Sequence, residues 1–359
     1  MYRLTAISKA AGIISSRRKS VLRGIPTKIP YLSKPVLVSC YGFEVEGGNL
    51  VIHIERDTFE IIPLNRHTLE VISDSTSRVR SFTLREGSLS LCISKEVQLR
   101  DVSGVIGVDR NLRNVTVGNE QKATQYDISQ IVDIVETTKS IVSSYKRNDA
   151  RVGRTIASKY GRRRSERIKR IIHKVSKDIV QEAKIDNVAI VFEDIKNIRN
   201  LYQKGNRQGP TFRGRMNSVP WGEIKRQVEY KAAWEGIPVI TLTRGETSGT
   251  TKDCPRCGER LQAEAKEDRE HYRMLWCQKC ARWMDRDIIA VMNISRRGRL
   301  RFDRSKGEAS EAMKGNPTTP VILRVDVSKS TWLARPINVG RTLNQSLSSS
   351  WPPNTPSQL

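Results

Sequence analysis

Four cysteines stand in two C-x-x-C pairs, CPRCG at 254–258 and CQKC at 277–280. Cys254, Cys257, Cys277 and Cys280 have the spacing of a four-cysteine zinc site, in which each pair turns tightly and aims two sulfurs at one tetrahedral ion. Gly258 eases the backbone reversal after the first pair. Four thiolates leave no open coordination position, so this zinc is expected to be structural. A redox dithiol would need a single C-x-x-C beside a thioredoxin-like unit, and here there are two. His271 lies between the pairs, but a complete set of four sulfurs does not need it. The remaining cysteines, Cys40 and Cys92, lie in apolar β-like runs and are expected to be ordinary buried residues.

A second group could do chemistry on a backbone of phosphates. GVIGVDRN is a buried-strand run that ends in Asp109, VAIVFED is another that ends in Glu193, and Asp287 opens the last helical run. Ends of neighbouring strands and a helix packed on them can bring three such groups within a few ångströms. Three carboxylates that close repel one another, and divalent cations remove that cost. Two magnesium or manganese ions held there could activate a water and stabilise the leaving oxygen of a phosphodiester. Each acid alone has a plainer reading, as a turn former, a helix cap or a complement to a helix dipole.

The elements between these groups must position them. Residues 1–30 read as a basic helical segment. Short alternating runs such as NLVIHIE and SLSLCIS make 31–103 a β-rich domain. From 104 the pattern is strand, strand, strand, long helices, strand, helix, strand, cysteine insert, helix: an α/β domain over 104–250 and 281–300, interrupted by the cysteine module at 251–280. Ile168, Ile171, Ile172, Val175, Ile179 and Val180 mark one helix face, and Gly161 is a candidate break between two helices. A Gly-rich basic stretch, YQKGNRQGPTFRGRMN, reads as a linker, and 217–236 as a helix ended by Gly236. Residues 301–359 read as a basic extension whose Ser/Pro-rich end has no fixed structure.

Charge points to a polyanionic partner, nucleic acid first, with an anionic membrane surface or a ribosomal or chaperone-type RNA-binding role as the rival readings. Lys and Arg number 63 against 38 Asp and Glu, a formal +25, which favours polyanions through counterion release. Arg147, Arg151, Arg154, Arg162, Arg163, Arg164 and Arg167, with Arg213 and Arg215 further on, are the candidate nucleic-acid contacts. No run of ~18 apolar residues indicates a membrane span, and no signal peptide is read at the start.

GVDRN at 107–111, VFEDI at 191–195, YKAAWEGIPVI at 230–240, ETSGTTKDCPRCG at 246–258, CQKC and DRDIIAVMNI at 285–294 together resemble the TnpB (OrfB) proteins of insertion sequences, relatives of the compact type V CRISPR nucleases. The resemblance implies an RNase H-like (RuvC-like) mixed sheet flanked by helices, a zinc ribbon inserted before the last helix, and a β-rich wedge-like domain in front. It implies Asp109, Glu193 and Asp287 as catalytic acids holding magnesium or manganese, and the four cysteines as zinc ligands. It further implies a transposon-associated DNA endonuclease guided by RNA, in a prokaryotic cytoplasm at the nucleoid. Two departures stand out. Ile289 and Val291 replace an Asn and an Ala of the family pattern, and the first catalytic Asp comes earlier than is usual, so the front domain is expected to be short. Two rival readings follow: a DNA- or RNA-binding relative without nuclease activity, and a zinc-ribbon factor of other ancestry, whose three acids would lie far apart.

Overall fold

The computed structural model describes residues 2–31, 36–55, 58–145, 150–195, 198–263, 273–312 and 318–328. They fall into two compact units. One runs to Glu96 and resumes at Ile322; the other runs from Val97 to Val321.

The first unit opens on helix α1 (Tyr2–Leu22), which buries none of its residues. Strands β1 (Val36–Ser39), β2 (Phe43–Glu46), β3 (Asn49–Glu55), β4 (Thr58–Pro63), β5 (Ser77–Arg85) and β6 (Ser88–Gln98) follow, with helix α2 (Arg66–Ile72) between β4 and β5. β2, β3 and β4 form a meander. β5 and β6 form a hairpin whose turn places Gly87 at φ +73°, a conformation L side chains rarely adopt. Phe82, Leu89, Leu91 and Ile93 are wholly buried here. Cys40 is exposed and Cys92 only part-buried, contrary to expectation. Cys40 falls one residue beyond β1, where the chain has already turned, and so misses the inward alternation of the strand.

The second unit is built on a five-stranded mixed sheet. Its strands are β7 (Gly104–Arg110), β8 (Asn114–Gly118), β9 (Ala123–Asp127), β10 (Val188–Glu193) and β11 (Val239–Leu242), in the order β11-β10-β7-β8-β9. β10 lies parallel to both β7 and β11, while β8 and β9 return antiparallel. Buried on both faces, β7 and β10 read as continuous apolar runs. One face packs Ile106, Val108, Ile190 and Phe192 against helices α3 (Gln130–Ser144), α4 (Ala150–Ile185) and α6 (Trp221–Trp234). The other packs Val105, Ala189 and Val191 against Ile294 of helix α7 (Arg286–Ala312).

Three local expectations are corrected. α4 runs unbroken through Gly161, around which there is open space; one glycine in a long helix costs only ~1 kcal/mol. The stretch expected as a linker holds helix α5 (Pro210–Ser218), begun by a proline at its first turn where no N–H is needed. Residues 217–236 are therefore not one helix, since α5 ends at Ser218 and α6 starts after Pro220. Helix α7 continues to Ala312, and a strand β15 (Thr318–Ser328) lies beside β6 in the sheet ordered β1-β5-β6-β15. The Ser/Pro-rich end expected to lack fixed structure, 346–359, lies outside the described residues.

The seat of α7 is unusually close. A Cβ on Gly107 would lie 2.5 Å from the Val291 carbonyl oxygen and 2.9 Å from the Ser295 nitrogen. Gly107→Ala must therefore push helix from strand and is expected to cost about 1–3 kcal/mol or more. Gly161→Ala, in open space, is expected to stabilise by ~0.5–1 kcal/mol. Denaturant unfolding of both variants checks this; equal midpoints would show that the β7–α7 contact is not tight in solution.

Candidate active site and cysteine cluster

β7 and β10 run parallel with Val108 opposite Phe192, so Asp109 and Glu193 follow side by side at the carboxyl ends of the two central strands. Alternation turns both toward the α7 face, because Val108 and Phe192 point into the helix-covered core on the other. Thr116 of β8 is the direct partner of Asp109. Thr116 and, two residues earlier, Asn114 therefore join the same face. Asp287 stands over it in the first turn of α7, 6% exposed.

The DRD run divides its labour at that turn. Asp285 accepts the Asp287 N–H at 2.8 Å and the Ile288 N–H at 3.3 Å, and so caps the helix. Asp287 is left free of capping. Its Oδ2 accepts from Asn114 Nδ2 at 3.2 Å and is ion-paired with Arg273, which also approaches Asp285 at 3.8 Å.

Electrostatics treat the strand acids unlike surface carboxyls. Burial first, and the neighbouring Glu193 charge second, push Asp109 up to about 6, against a hydrogen bond of 2.9 Å from Asn111 and the fields of Arg110 and Arg286. Burial also raises Glu193, opposed by a 2.9 Å hydrogen bond from Thr250 Oγ1. Burial without a full complement of donors thus favours the protonated form of both. Arg110 does not meet this need. It lies over the Phe192 ring at 5.2 Å and donates to the backbone oxygens of Trp221 at 3.0 Å and Glu193 at 2.7 Å. Burial lowers its own pKa to about 10.

The cysteine module enters after β11 and leaves at α7. It carries β12 (Gln262–Ala263), β13 (Met274–Cys277) and β14 (Arg282–Asp285), an antiparallel three-stranded sheet. Among the described residues, its four cysteines are the one group of three or more metal-ligating side chains whose ligand atoms all lie within 4.8 Å of one another. The sulfurs of Cys254 and Cys280 are 3.8 Å apart and those of Cys257 and Cys277 3.4 Å, near the ~3.8 Å edge of a tetrahedron with ~2.3 Å metal–sulfur bonds. Burial opposes ionisation of Cys254, but backbone N–H groups of Cys257 and Arg256 bring it down to about 7, whereas burial raises Cys277 and the neighbouring thiols raise Cys280, so without a metal one thiolate forms ahead of the others. Gly258 turns at φ +75°, as its place after the first pair requires. His271 lies outside the described residues. The donor set fits one soft tetrahedral cation. Asp109, Glu193 and Asp287 do not form so close a group among the described residues.

Ile289 is fully buried among Cys254, Leu261, Leu275 and Cys277. That contact accounts for an apolar residue where the family pattern has Asn. The module is also tied to the acids. Asn293 of α7 donates to the backbone oxygens of Thr250 and Asp253, both at 2.8 Å, and the Thr250 hydroxyl reaches Glu193. Asn111, Asn114, Thr116, Thr250, Arg273 and Asn293 were not foreseen in these roles. Only Asn111 carried a local signal, its place two residues beyond a strand-ending Asp.

The basic residues part company. Arg154, Arg162, Arg163, Arg164 and Arg167 are exposed on α4, whose buried positions, among the described residues, begin only at Ile168. Arg154, Ser158 and Arg162, with Thr155, Lys159 and Arg163, form two parallel i, i+4 rows along one open cleft. Arg215 is instead paired with Glu136 of α3, and Arg213 donates to the Gln208 backbone oxygen. Arg147 lies outside the described residues, and only the backbone of Arg151 is described, within α4. No helix among the described residues is long and apolar enough to cross a membrane.

Comparison with known proteins adds one family match, three relatives and one solved structure. Residues 221–294 match the family model "Cas12f1-like, TNB domain". TnpB-like protein MJ0751 of Methanocaldococcus jannaschii is 27% identical over 266 residues, 70% of this chain and 91% of that protein. TnpB-like protein MJ1635 of the same archaeon is 23% identical over 335 residues, 90% and 73%. A putative RNA-guided DNA endonuclease of Streptomyces pristinaespiralis is 29% identical over 126 residues, 34% of this chain and 26% of that protein. The fold resembles that in a cryo-EM structure of the Cas12f1-sgRNA-target DNA complex, with a TM-score of 0.53, 15% identity, and coverage of 77% of this chain and 67% of that one. At that identity the likeness is one of fold.

Proposed function

We infer, from this chain's membership of the TnpB family related to the type V effectors, that it is a metal-dependent endonuclease that cuts DNA under the direction of a guide RNA. The observation that carries the reading is the side-by-side placement of Asp109 and Glu193 at the ends of parallel strands, with Asp287 over the same face. That is the arrangement expected of a RuvC-like site. The names of the Streptomyces relative and of the Cas12f1 complex support RNA and DNA as partners.

Asp109, Glu193 and Asp287 would hold magnesium or manganese, which when bound supplies water activation and stabilisation of the leaving oxygen. The chain's own residues prepare that site. Asn111 and Thr250 each orient one carboxylate oxygen, leaving the others open. Arg110 keeps β7, β10 and α6 in register from behind without neutralising the acids at their exposed side. Arg273, now on Asp287, must give way to an incoming cation. Four cysteines holding zinc would fix the module that carries Arg273 and Thr250. A prokaryotic cytoplasm, at the nucleoid, fits the archaeal and bacterial relatives.

Sequencing the RNA that co-purifies with the protein, then offering a DNA target that matches it with Mg²⁺, tests this reading. Cleavage of the matched target and not of a mismatched one is expected. Matched RNA that directs binding but no cleavage with any divalent metal would favour the nuclease-silent alternative.

The α4 arginines give a separate prediction. Replacing Arg154, Arg162 and Arg163 together with Gln is expected to weaken nucleic-acid binding and to lower the slope of log K against log salt by roughly 2–3, at about 0.7–0.9 for each phosphate no longer neutralised. Arg215→Gln, already paired with Glu136, is expected to change that slope far less. Fluorescence anisotropy across a salt series reads both, and equal slopes for all variants would remove α4 from the interface.

A further inference from the structure

Two side-chain oxygens on β8 are buried and find no hydrogen-bond partner among the described residues: Asn114 Oδ1 and Thr116 Oγ1. They are two residues apart on one strand, hence on one face, and that face is the one under Asp287. Thr116 is fully buried directly across from Asp109. A buried oxygen left unpaired costs ~1–3 kcal/mol. Two together beside a carboxylate group call for an absent partner, and an ion with its waters is one that accepts oxygens of this kind.

The Asn114 amide is fixed in direction. Its nitrogen donates to Asp287 Oδ2, and the reverse orientation would set its oxygen against a carboxylate. Its carbonyl oxygen is thus turned away from Asp287 Oδ2, where no N–H or O–H of the described residues satisfies it. As a neutral donor it adds a ligand oxygen without adding to the repulsion among three acids.

We propose that Asn114 is a fourth member of the cation site, holding Asp287 through its amide nitrogen and presenting its carbonyl oxygen to the bound ion or to a water on it. The inference rests on the nuclease reading of this site. Thr116 supports it as a second neutral oxygen on the Asp109 side.

Mn²⁺ titration of the purified full chain, with free Mn²⁺ read by electron paramagnetic resonance, tests the proposal without recourse to cleavage. Asn114→Ala is expected to weaken Mn²⁺ binding by about tenfold or more. Asn114→Asp loses the donor to Asp287 but keeps an oxygen, and is expected to bind at least as tightly as the unaltered chain. If Asn114→Asp is as weak as Asn114→Ala, the residue acts only by orienting Asp287 and the proposal is overturned. Unaltered binding by Asn114→Ala overturns it as well. Should the Asp variant fail to fold without cation, recovery of cooperative unfolding on adding Mn²⁺ supports the proposal and failure to recover counts against it. Asp109→Ala, run beside them, separates the two ideas. If it takes up Mn²⁺ normally, the nuclease reading itself fails; if it loses Mn²⁺ and Asn114→Ala does not, only the role of Asn114 fails.

Discussion

Asp109→Ala is expected to lower cleavage of a guide-matched DNA by on the order of 10²–10⁴-fold, the range for removing a charged group that acts in the transition state, while binding of RNA and DNA stays within a few fold. The separation follows from geometry. Asp109 lies on the sheet face under α7, whereas the exposed arginines lie on α4 ahead of its first buried position, Ile168. The same substitution should stabilise the metal-free protein. Asp109 is raised from an ordinary 3.8 to about 6, so between those values the folded state holds a proton that the unfolded state has released. Stability then falls as pH rises through that window, and above about 6 the ionised carboxylate costs roughly 2–3 kcal/mol. Removing it relieves that cost. A higher unfolding midpoint near neutral pH without divalent metal, a smaller Mg²⁺-induced gain and cleavage slowed by that factor are the joint outcome; scission at the unaltered rate would displace Asp109 from the chemistry.

The same residues show what could be read from the sequence and what could not. The strands that carry Asp109 and Glu193 near their carboxyl ends were legible, because a buried apolar run that gives way to charge marks both the strand and its end. The cysteine quartet was legible because two C-x-x-C turns carry their own geometry. The helical face from Ile168 to Val180 announced itself by spacing, and of its six named positions all but the part-buried Ile171 are buried. What escaped was fixed by partners distant in the chain. Asn114 matters because it meets Asp287, 173 residues away, and Thr250 because it meets Glu193. Arg215 read as a free cation, although Glu136 of a separate helix neutralises it. Gly161 and the stretch before Ser218 misled in another way. Glycine and proline punctuate a chain locally, but an apolar face that continues, or a proline at a helix's first turn, overrides them. Cys40 shows the limit of alternation itself, since one residue past a strand end the pattern no longer says inside or out.

Emptying the cysteine quartet proposed to hold zinc is expected to disable the carboxylate site from a distance. Cys277→Ser leaves Asp109, Glu193 and Asp287 in place by sequence, yet Cys277 is fully buried beside Ile289, two residues along α7 from Asp287. A structural zinc of this kind contributes folding energy outright, with apparent binding of ~10–16 kcal/mol in small zinc domains. Without it, β13 and β14 lose their common anchor, and with them go the Asp285 cap on α7 and the loop whose Thr250 orients Glu193. The sheet and its helix-covered core need none of these contacts, so the α/β unit should stay folded. Three measurements distinguish this from a general collapse. Zinc content per chain should fall toward zero, amide exchange should quicken in 273–287 and 247–254 but not in β7 or β10, and cleavage should drop about as far as in Asp109→Ala. Because four sulfurs leave no open coordination position, the metal cannot take part in the reaction directly. Replacing Zn²⁺ with Cd²⁺ should therefore restore both protection and cleavage. A zinc-free variant that cut DNA at the rate of the unaltered chain would show that α7 holds Asp287 in place unaided, and that the module serves only to touch nucleic acid.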